Sequence, residues 1–357
     1  MKKIPIWIQR LSFFLILFFL FFFPLPFYLE VPGNIFPLSD MIEVNKEYEK
    51  NTGEFYITTV GVKQATPLTF LQSFLPYQDL VSESKLLGDF EDFENYNTIQ
   101  KYYMNHSINN AIKVAFDEAE KEYKMNYKGV YVLQVIEESN FYGQLKIGDI
   151  VEAVDQQRFE SSSKFMDYIA SKEIGEKIEL AVNRSNEKLT FTEELIELES
   201  GGSGIGIALT DNSEIETDPE VKIHSADIGG PSAGLMFAID VYTQLMNNDL
   251  SKGYKIAGTG SISPDGEIGR IGGIEKKIVA ADREKADYFL APDDQDLNRQ
   301  SNYDLAVETA EKIRSNLHIV PVKTFEEAVE FLNNLEFNEA KSATENSLNY
   351  SAVAPLF

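Results

Sequence analysis

The sequence predicts a chain of mixed helices and strands, organised as two or three domains behind an apolar N-terminal helix. Three observations carry this reading. The chain has 357 residues, a length that corresponds to about two to three domains. Residues 11–29 carry no charge, while the ten residues before them hold Lys2, Lys3 and Arg10. Beyond the apolar run, strand-like segments alternate with helical periodicity to about residue 336. Hydrophobic residues make up 43% and charged residues 25% of the chain, which excludes broad disorder.

The charge balance removes one class of function. Lys and Arg number 32 against 57 Asp and Glu, a formal net charge of −25. A nucleic-acid binder needs a basic patch to neutralise phosphates, so no nucleic-acid partner is expected. The absence of cysteine excludes disulfides, cysteine-based metal sites and a cysteine nucleophile. The three histidines, His106, His224 and His318, are too scattered for a histidine-rich metal site. No metal and no cofactor are expected.

The first element is the segment LSFFLILFFLFFFPLPFYL. Nineteen residues rising about 1.5 Å each would reach about 28 Å, close to a bilayer core. Pro24 and Pro26 interrupt its end, so the strict helix should stop near Phe23. The run also fits a signal-peptide core, but no small-x-small cleavage site follows. Basic residues before it and Glu30 after it would leave the N-terminus in the cytoplasm. The expectation is a transmembrane helix in residues 1–30. It would give a single-pass cell-membrane protein, with the membrane as a partner and the catalytic domain extracytoplasmic.

Residues 31–127 read as a spacer or accessory region. EFYITTVGV (54–62) has strand character. Residues 105–123 predict an amphipathic helix with Ile108, Ala111, Ile112, Ala115 and Ala119 on one face. No chemistry is evident there.

Residues 128–197 change character. KGVYVLQVIE reads as a strand, followed by a Gly148-Asp149 turn flanked by Leu145, Ile147, Ile150 and Val154. SSKFMDYIAS reads as a helix, and KIELAVNR and KLTFTEELIEL as two strands. This order with its L-x-x-G-D-x-I turn resembles a PDZ domain of the bacterial protease-associated type. The resemblance implies a β-rich module that takes up extended peptides by strand addition. Its carboxylate-binding loop would fall near Lys128, Gly129 and Val130, although the Gly-Leu-Gly-Phe form is absent there. The alternative is a module that only positions the next domain.

Gly201-Gly202-Ser203-Gly204 marks a boundary, residues 200–336 form the last domain, and 337–357 is a polar tail. In DIGGPSAGLMFAIDVYTQL, Gly229-Gly230 make a turn and Pro231 suits a first helical position. Ser232 would then lie in the first turn of an amphipathic helix. Unpaired N–H groups at such a terminus stabilise a developing oxyanion, and the helix dipole favours an attacking Ser oxygen. From spacing alone, Ser232 reads more readily as a simple helix cap.

The stretch from Thr259 to Pro292 contains a Thr-Gly strand end, an Asp265-Gly266 turn and GRIGG before a helix starting near Ile274. At about 100° per residue, Ile274, Ile278 and Ala281 share a face with Lys277 beside it. Lys276 falls near the opposite, wet side with Arg283, and is expected to tolerate replacement. Burial favours a neutral amine, which accepts a proton from Ser. A snorkelling Lys277 is the competing reading.

Taken together, Gly-Gly-Pro-Ser-Ala-Gly, Thr-Gly and Ile-Gly-Gly-x-x-x-Lys, in the order Ser, Thr, Lys, resemble the proteolytic domain of Lon-type serine proteases. The resemblance implies an α+β protease fold with Ser232 as nucleophile and Lys277 as general base. It makes Thr259 a hydrogen-bond partner of that lysine, and Gly230, Pro231 and Ala233 surround the nucleophile. Gly229 stands where many members have Asp, and Ser261 where Glu often follows Thr-Gly; Asp227 is the nearest acidic residue upstream. No G-x-x-x-x-G-K-[ST] phosphate loop occurs in the 357 residues. The layout resembles bacterial membrane-anchored PDZ–Lon-like peptidases. An ATP-independent serine endopeptidase acting on extracytoplasmic proteins or peptides is therefore expected. The rival is a non-catalytic PDZ scaffold with an inert Lon-like domain. Lon-like domains tend to form rings, so a homo-oligomer is compatible with the resemblance. A Ser232–His224 pair lacks a third member. The acidic runs Glu214-Glu216-Asp218-Glu220 and Asp293-Asp294-Asp296 read as solvated surface rather than a calcium site.

Overall fold

The computed structural model describes residues 5–45, 51–88, 90, 92–225, 228–294 and 299–338. Most of the tail expected at 337–357 lies outside the described residues.

The first element corrects the sequence reading. Helix α1 spans Ile6–Phe22, 17 residues, set between Pro5 and the Pro24-Leu25-Pro26 run. At about 1.5 Å per residue it reaches about 26 Å, short of a hydrocarbon core of about 30 Å. Among the described residues no helix is long and apolar enough to cross a membrane. The expected transmembrane helix is overturned. With it go the membrane partner, the single-pass placement and the extracytoplasmic assignment, all of which rested on that span.

The chain continues as β1 (Phe27–Pro37), β2 (Ile42–Val44), β3 (Glu54–Gln64), α2 (Pro67–Phe70), β4 (Asp79–Ser82), α3 (Glu83–Leu87) and α4 (Phe93–Glu118). Then follow β5 (Tyr123–Val135), β6 (Ile150–Val154), α5 (Ser162–Ala170), β7 (Lys177–Arg184), β8 (Glu187–Glu194), β9 (Ile196–Glu197), β10 (Ser203–Gly204) and β11 (Ile207–Thr217). The last part holds β12 (Val221–Ile223), α6 (Gly234–Met246), β13 (Lys255–Gly258), β14 (Ser261–Ile262), β15 (Ile268–Gly269) and α7 (Ile274–Arg283). It closes with β16 (Tyr288–Pro292), α8 (Asn302–Ile313), β17 (His318–Val322) and α9 (Phe325–Asn333).

The main sheet has the order β17-β16-β13-β3-β1-β4. β17, β16, β13 and β3 run parallel, and β1 is antiparallel to both β3 and β4. Lys255 to Gly258 of β13 lie opposite Glu54 to Ile57 of β3. The segment 31–127, expected as a spacer, thus supplies half the strands of this sheet. It also supplies α4, which packs against α6. α4 starts where the Asp92 carboxylate accepts from Asn95 N–H at 2.8 Å, a dozen residues earlier than the apolar periodicity suggests.

Helix α6 is apolar on nearly every side and is buried accordingly, in a core shared with Phe55, Ile57, Phe116 and Phe325. It also carries Asp240, 3% exposed, whose carboxylate accepts from Gln244 Nε2 at 2.7 Å. Burial pushes the Asp240 carboxyl up to about 7. Its unfolded counterpart ionises near 4, so stability is complete below that pH and falls as pH rises towards about 7. Asp240→Asn is expected to flatten this slope and to make the protein more stable than wild type at pH 8. Urea unfolding at pH 5 and pH 8 measures it.

Between α4 and β12 the chain builds a second, antiparallel sheet of order β11-β5-β6-β7-β8, with α5 and a core of Val132, Phe141, Phe165, Leu180 and Ile205. The Gly148-Asp149 turn is held because buried Asp149 takes a two-pronged bond from Arg184 at 2.7 Å and a third from Lys146 N–H. Lys128, Gly129 and Val130, expected at a carboxylate-binding loop, lie inside β5 instead. Gly129 and Val130 face Asn212 and Asp211 of β11, and Val130 also faces Val151 of β6. At Val130 the strand is paired on both sides, which leaves no edge there to offer a peptide. The edges of this sheet are β11 and β8.

Candidate active site

Three loops of the chain meet at one end of α6. The first is the turn before the helix. Gly230 adopts φ +85°, a conformation that side chains rarely take, and its N–H donates to Gln100 O of α4 at 2.8 Å. A Cβ at Gly229 would stand 2.8 Å from Gln100 Cβ, so the double glycine lets α4 approach the turn. The helix proper begins at Gly234 with Ala233 as its cap residue. Pro231 and Ser232 therefore precede the helix rather than forming its first turn. Ser232 is half-buried and Pro231 exposed.

The second is the end of β13. Thr259 is fully buried, and its hydroxyl donates to Ser232 O at 2.9 Å. Gly260 N–H donates to the same carbonyl at 2.8 Å. The third is α7, which enters through Gly273 at φ +67°, where a Cβ would meet Val60 at 2.8 Å. One turn on, Lys277 is 3% exposed. Its Nζ lies 2.9 Å from Ser232 Oγ and donates to Thr259 Oγ1 at 2.8 Å.

Burial alone pulls the Lys277 amine down to about 7, with no carboxylate among the described residues to oppose it. Its neighbour behaves differently. Lys276 is also buried, at 6% exposed, which corrects its expected place on a wet face. The side of α7 opposite the apolar stripe is covered by β1 and β4, whose Glu30 and Asp79 lie 3.1 and 2.6 Å from Lys276 Nζ. Burial would lower this amine as well, but the bonds to Asp79 and Glu30 hold it above its ordinary value.

Around the Ser232 turn, Gly230 N–H is spent on Gln100 and Pro231 has none. The N–H groups of Ser232 and Ala233 have no acceptor among the described residues. Sequence reasoning missed Gln100 and Ser107, both on α4; Ser107 Oγ donates to Pro231 O at 2.9 Å. No sequence signal joins that helix to a turn 120 residues later. His224 is exposed, with Nε2 3.9 Å from Glu43 Oε1, and makes no bond to Ser232. Of the acidic runs, Glu214 pairs with Lys128, Glu220 with Lys222, and Asp294 with Arg270. Asp227 and Asp296 lie outside the described residues.

Comparison with known proteins gives two family matches that overlap at residues 178–195. Residues 116–195 match the PDZ domain family, and residues 178–334 match the Lon protease (S16) C-terminal proteolytic domain. The chain is 30% identical over 125 residues to the Lon protease of Endomicrobium trichonymphae, covering 34% of this chain and 14% of that protein. It is 28% identical over 151 residues to the Lon protease of Methanosarcina barkeri, covering 40% and 18%. The chain thus spans less than a fifth of the length of these curated relatives. Among solved structures, the PDZ domain of the SdrC-like protein from Listeria innocua is 36% identical, covering 23% of this chain and 92% of that one, with a TM-score of 0.22. The chain is a mixed α+β protein in which one stretch is similar to PDZ domains and another to the Lon-type proteolytic domain.

Proposed function

We propose that this chain is a serine endopeptidase that works without nucleotide through a Ser232–Lys277 dyad. The observation that carries the reading is the buried Lys277 amine, 2.9 Å from Ser232 Oγ, with no carboxylate among the described residues to keep it charged. The neutral amine takes the Ser232 proton as Oγ attacks a peptide carbonyl. Thr259 gives its proton to Ser232 O, so its oxygen can only accept from Lys277, which fixes the amine's direction. The Ser232 and Ala233 N–H groups are the donors left for the oxyanion. The protonated Lys277 then returns its proton to the leaving amine, and water releases the acyl-enzyme.

Substrates are proteins or peptides, and the PDZ domain supports docking of an extended segment by strand addition. We assign that docking to the β11 edge rather than to β5. Gly204-Ile205-Gly206-Ile207 leads into β11, with Gly206 at φ +80°. α5 flanks the strand, since its Ser162 N–H donates to Asp211 Oδ1 and its Ile169 O accepts from Ser203 Oγ. The peptidase unit on this reading is assembled from β1–α4 and from β12 onward, with the PDZ module inserted between them.

The test is a fluorophosphonate probe and a fluorogenic peptide series. Wild type should take the probe and cleave peptides, Ser232→Ala should do neither, and ATP with magnesium should leave turnover unchanged. A wild-type protein that takes no probe and cleaves nothing would leave the scaffold reading in its place.

A further inference from the structure

Resting on the peptidase reading, we propose that Ser107 of α4 is a positioning residue that sets the oxyanion-binding peptide of the nucleophile turn. Both carbonyls flanking Ser232 are held, but by different parts of the chain. Ser232 O is held by Thr259 and Gly260, which belong to the Lon-type domain. Pro231 O is held by the hydroxyl of Ser107 at 2.9 Å, with a longer bond from Gly234 N–H at 3.3 Å. The Pro231–Ser232 peptide is trans, so its N–H points opposite to its C=O. Fixing Pro231 O therefore fixes the direction of the Ser232 N–H, one of the two donors left without an acceptor.

The surroundings are built for this contact. Ser107 is 2% exposed and so shielded from competing water. Gly234 is the first helical residue, and a Cβ there would stand 2.5 Å from Ser107 Oγ and 2.6 Å from Ile262. The glycine leaves room for the hydroxyl to reach the carbonyl. About two turns earlier on α4, Gln100 O takes the Gly230 N–H, so the helix grips the turn at two points. On its other side α4 is tied to β11: Tyr102 OH donates to Asp211 O at 2.8 Å and Asn109 Nδ2 to Ser213 O at 2.7 Å. α4 is thereby braced against the PDZ sheet while it holds the turn. Ser107 lies outside residues 178–334, so the Lon-type match does not contain it.

The experiment uses the full chain with Ser107→Ala, and with Ser107→Cys, which keeps volume but donates weakly. Expected is a fall in kcat of about 10- to 100-fold with KM unchanged. The affinity for a peptidyl boronate, whose adduct carries the oxyanion, should weaken by the same factor. The melting temperature should move little, and Ser107→Cys should lie between alanine and wild type. A kcat and boronate affinity within twofold of wild type would overturn the proposal. So would a loss that follows the melting temperature and disappears on cooling, because that is packing alone. A wild-type protein with neither turnover nor probe labelling would instead remove the peptidase reading on which the proposal stands.

Discussion

Replacing Lys277 by methionine is expected to remove peptidase activity while making the protein more stable. The loss should be about 10²- to 10⁴-fold, the usual contribution of a positioned general base. Methionine keeps the apolar stem and drops the amine that faces Ser232 Oγ and Thr259 Oγ1. The stability change follows from the same burial. Lys277 is pulled down to about 7 in the folded protein, against an ordinary value of 10.5. Its contribution to stability is intact above pH 10.5 and is lost progressively as pH falls to about 7, because folding must then strip or bury a charge. The methionine variant should therefore gain most at neutral pH and below, and nothing near pH 11. Wild-type kcat/KM should rise through about pH 7 as the amine becomes neutral, then level off. Chemical unfolding across pH 6–10 and a pH–rate profile measure both. An unchanged unfolding midpoint, or a profile flat from pH 5 to 9, would contradict the assignment.

The site was legible where its chemistry is local. A double glycine, a proline and a serine before an apolar helix mark the turn that carries Ser232, and the wheel of α7 places Lys277 beside its apolar face. What the sequence did not disclose is everything that reaches these elements from far away. β3 pairs with β13 across some 200 residues and brings β1 and β4 with it, so a stretch without motifs became half the main sheet. Periodicity shows that a segment is a strand, but not which strand lies beside it. For the same reason the PDZ loop was placed at the first strand of its run, when β11, 80 residues later, covers that strand's edge. The N-terminal helix ends at Phe22, beside the expected Phe23, but its 17 residues start at Ile6 and take in Arg10, so the nineteen uncharged residues overstate the apolar helix.

Lys276 shows the same limit and gives the second large effect, this time on stability. A wheel has one apolar face and assumes water on the other, but α7 is sheathed on that side by β1 and β4. Lys276 Nζ there bridges Asp79 at 2.6 Å and Glu30 at 3.1 Å. Lys276→Met is expected to destabilise the fold by about 1–3 kcal/mol, less than for a fully buried pair because Asp79 is 66% exposed and solvent screens it. Most of the cost comes from Glu30, only 25% exposed and left without its cation. Adding Glu30→Gln to the methionine variant should therefore recover part of the loss, whereas Asp79→Asn should recover little. Turnover at a temperature where every variant is folded should stay within a few-fold of wild type, since Lys276 does not touch Ser232. Thermal melts and peptide turnover of the single and double variants separate the two lysines. If Lys276→Met melts with wild type, or is as inactive as Lys277→Met, then α7 does not divide its lysines between an ion-paired anchor and a neutral base.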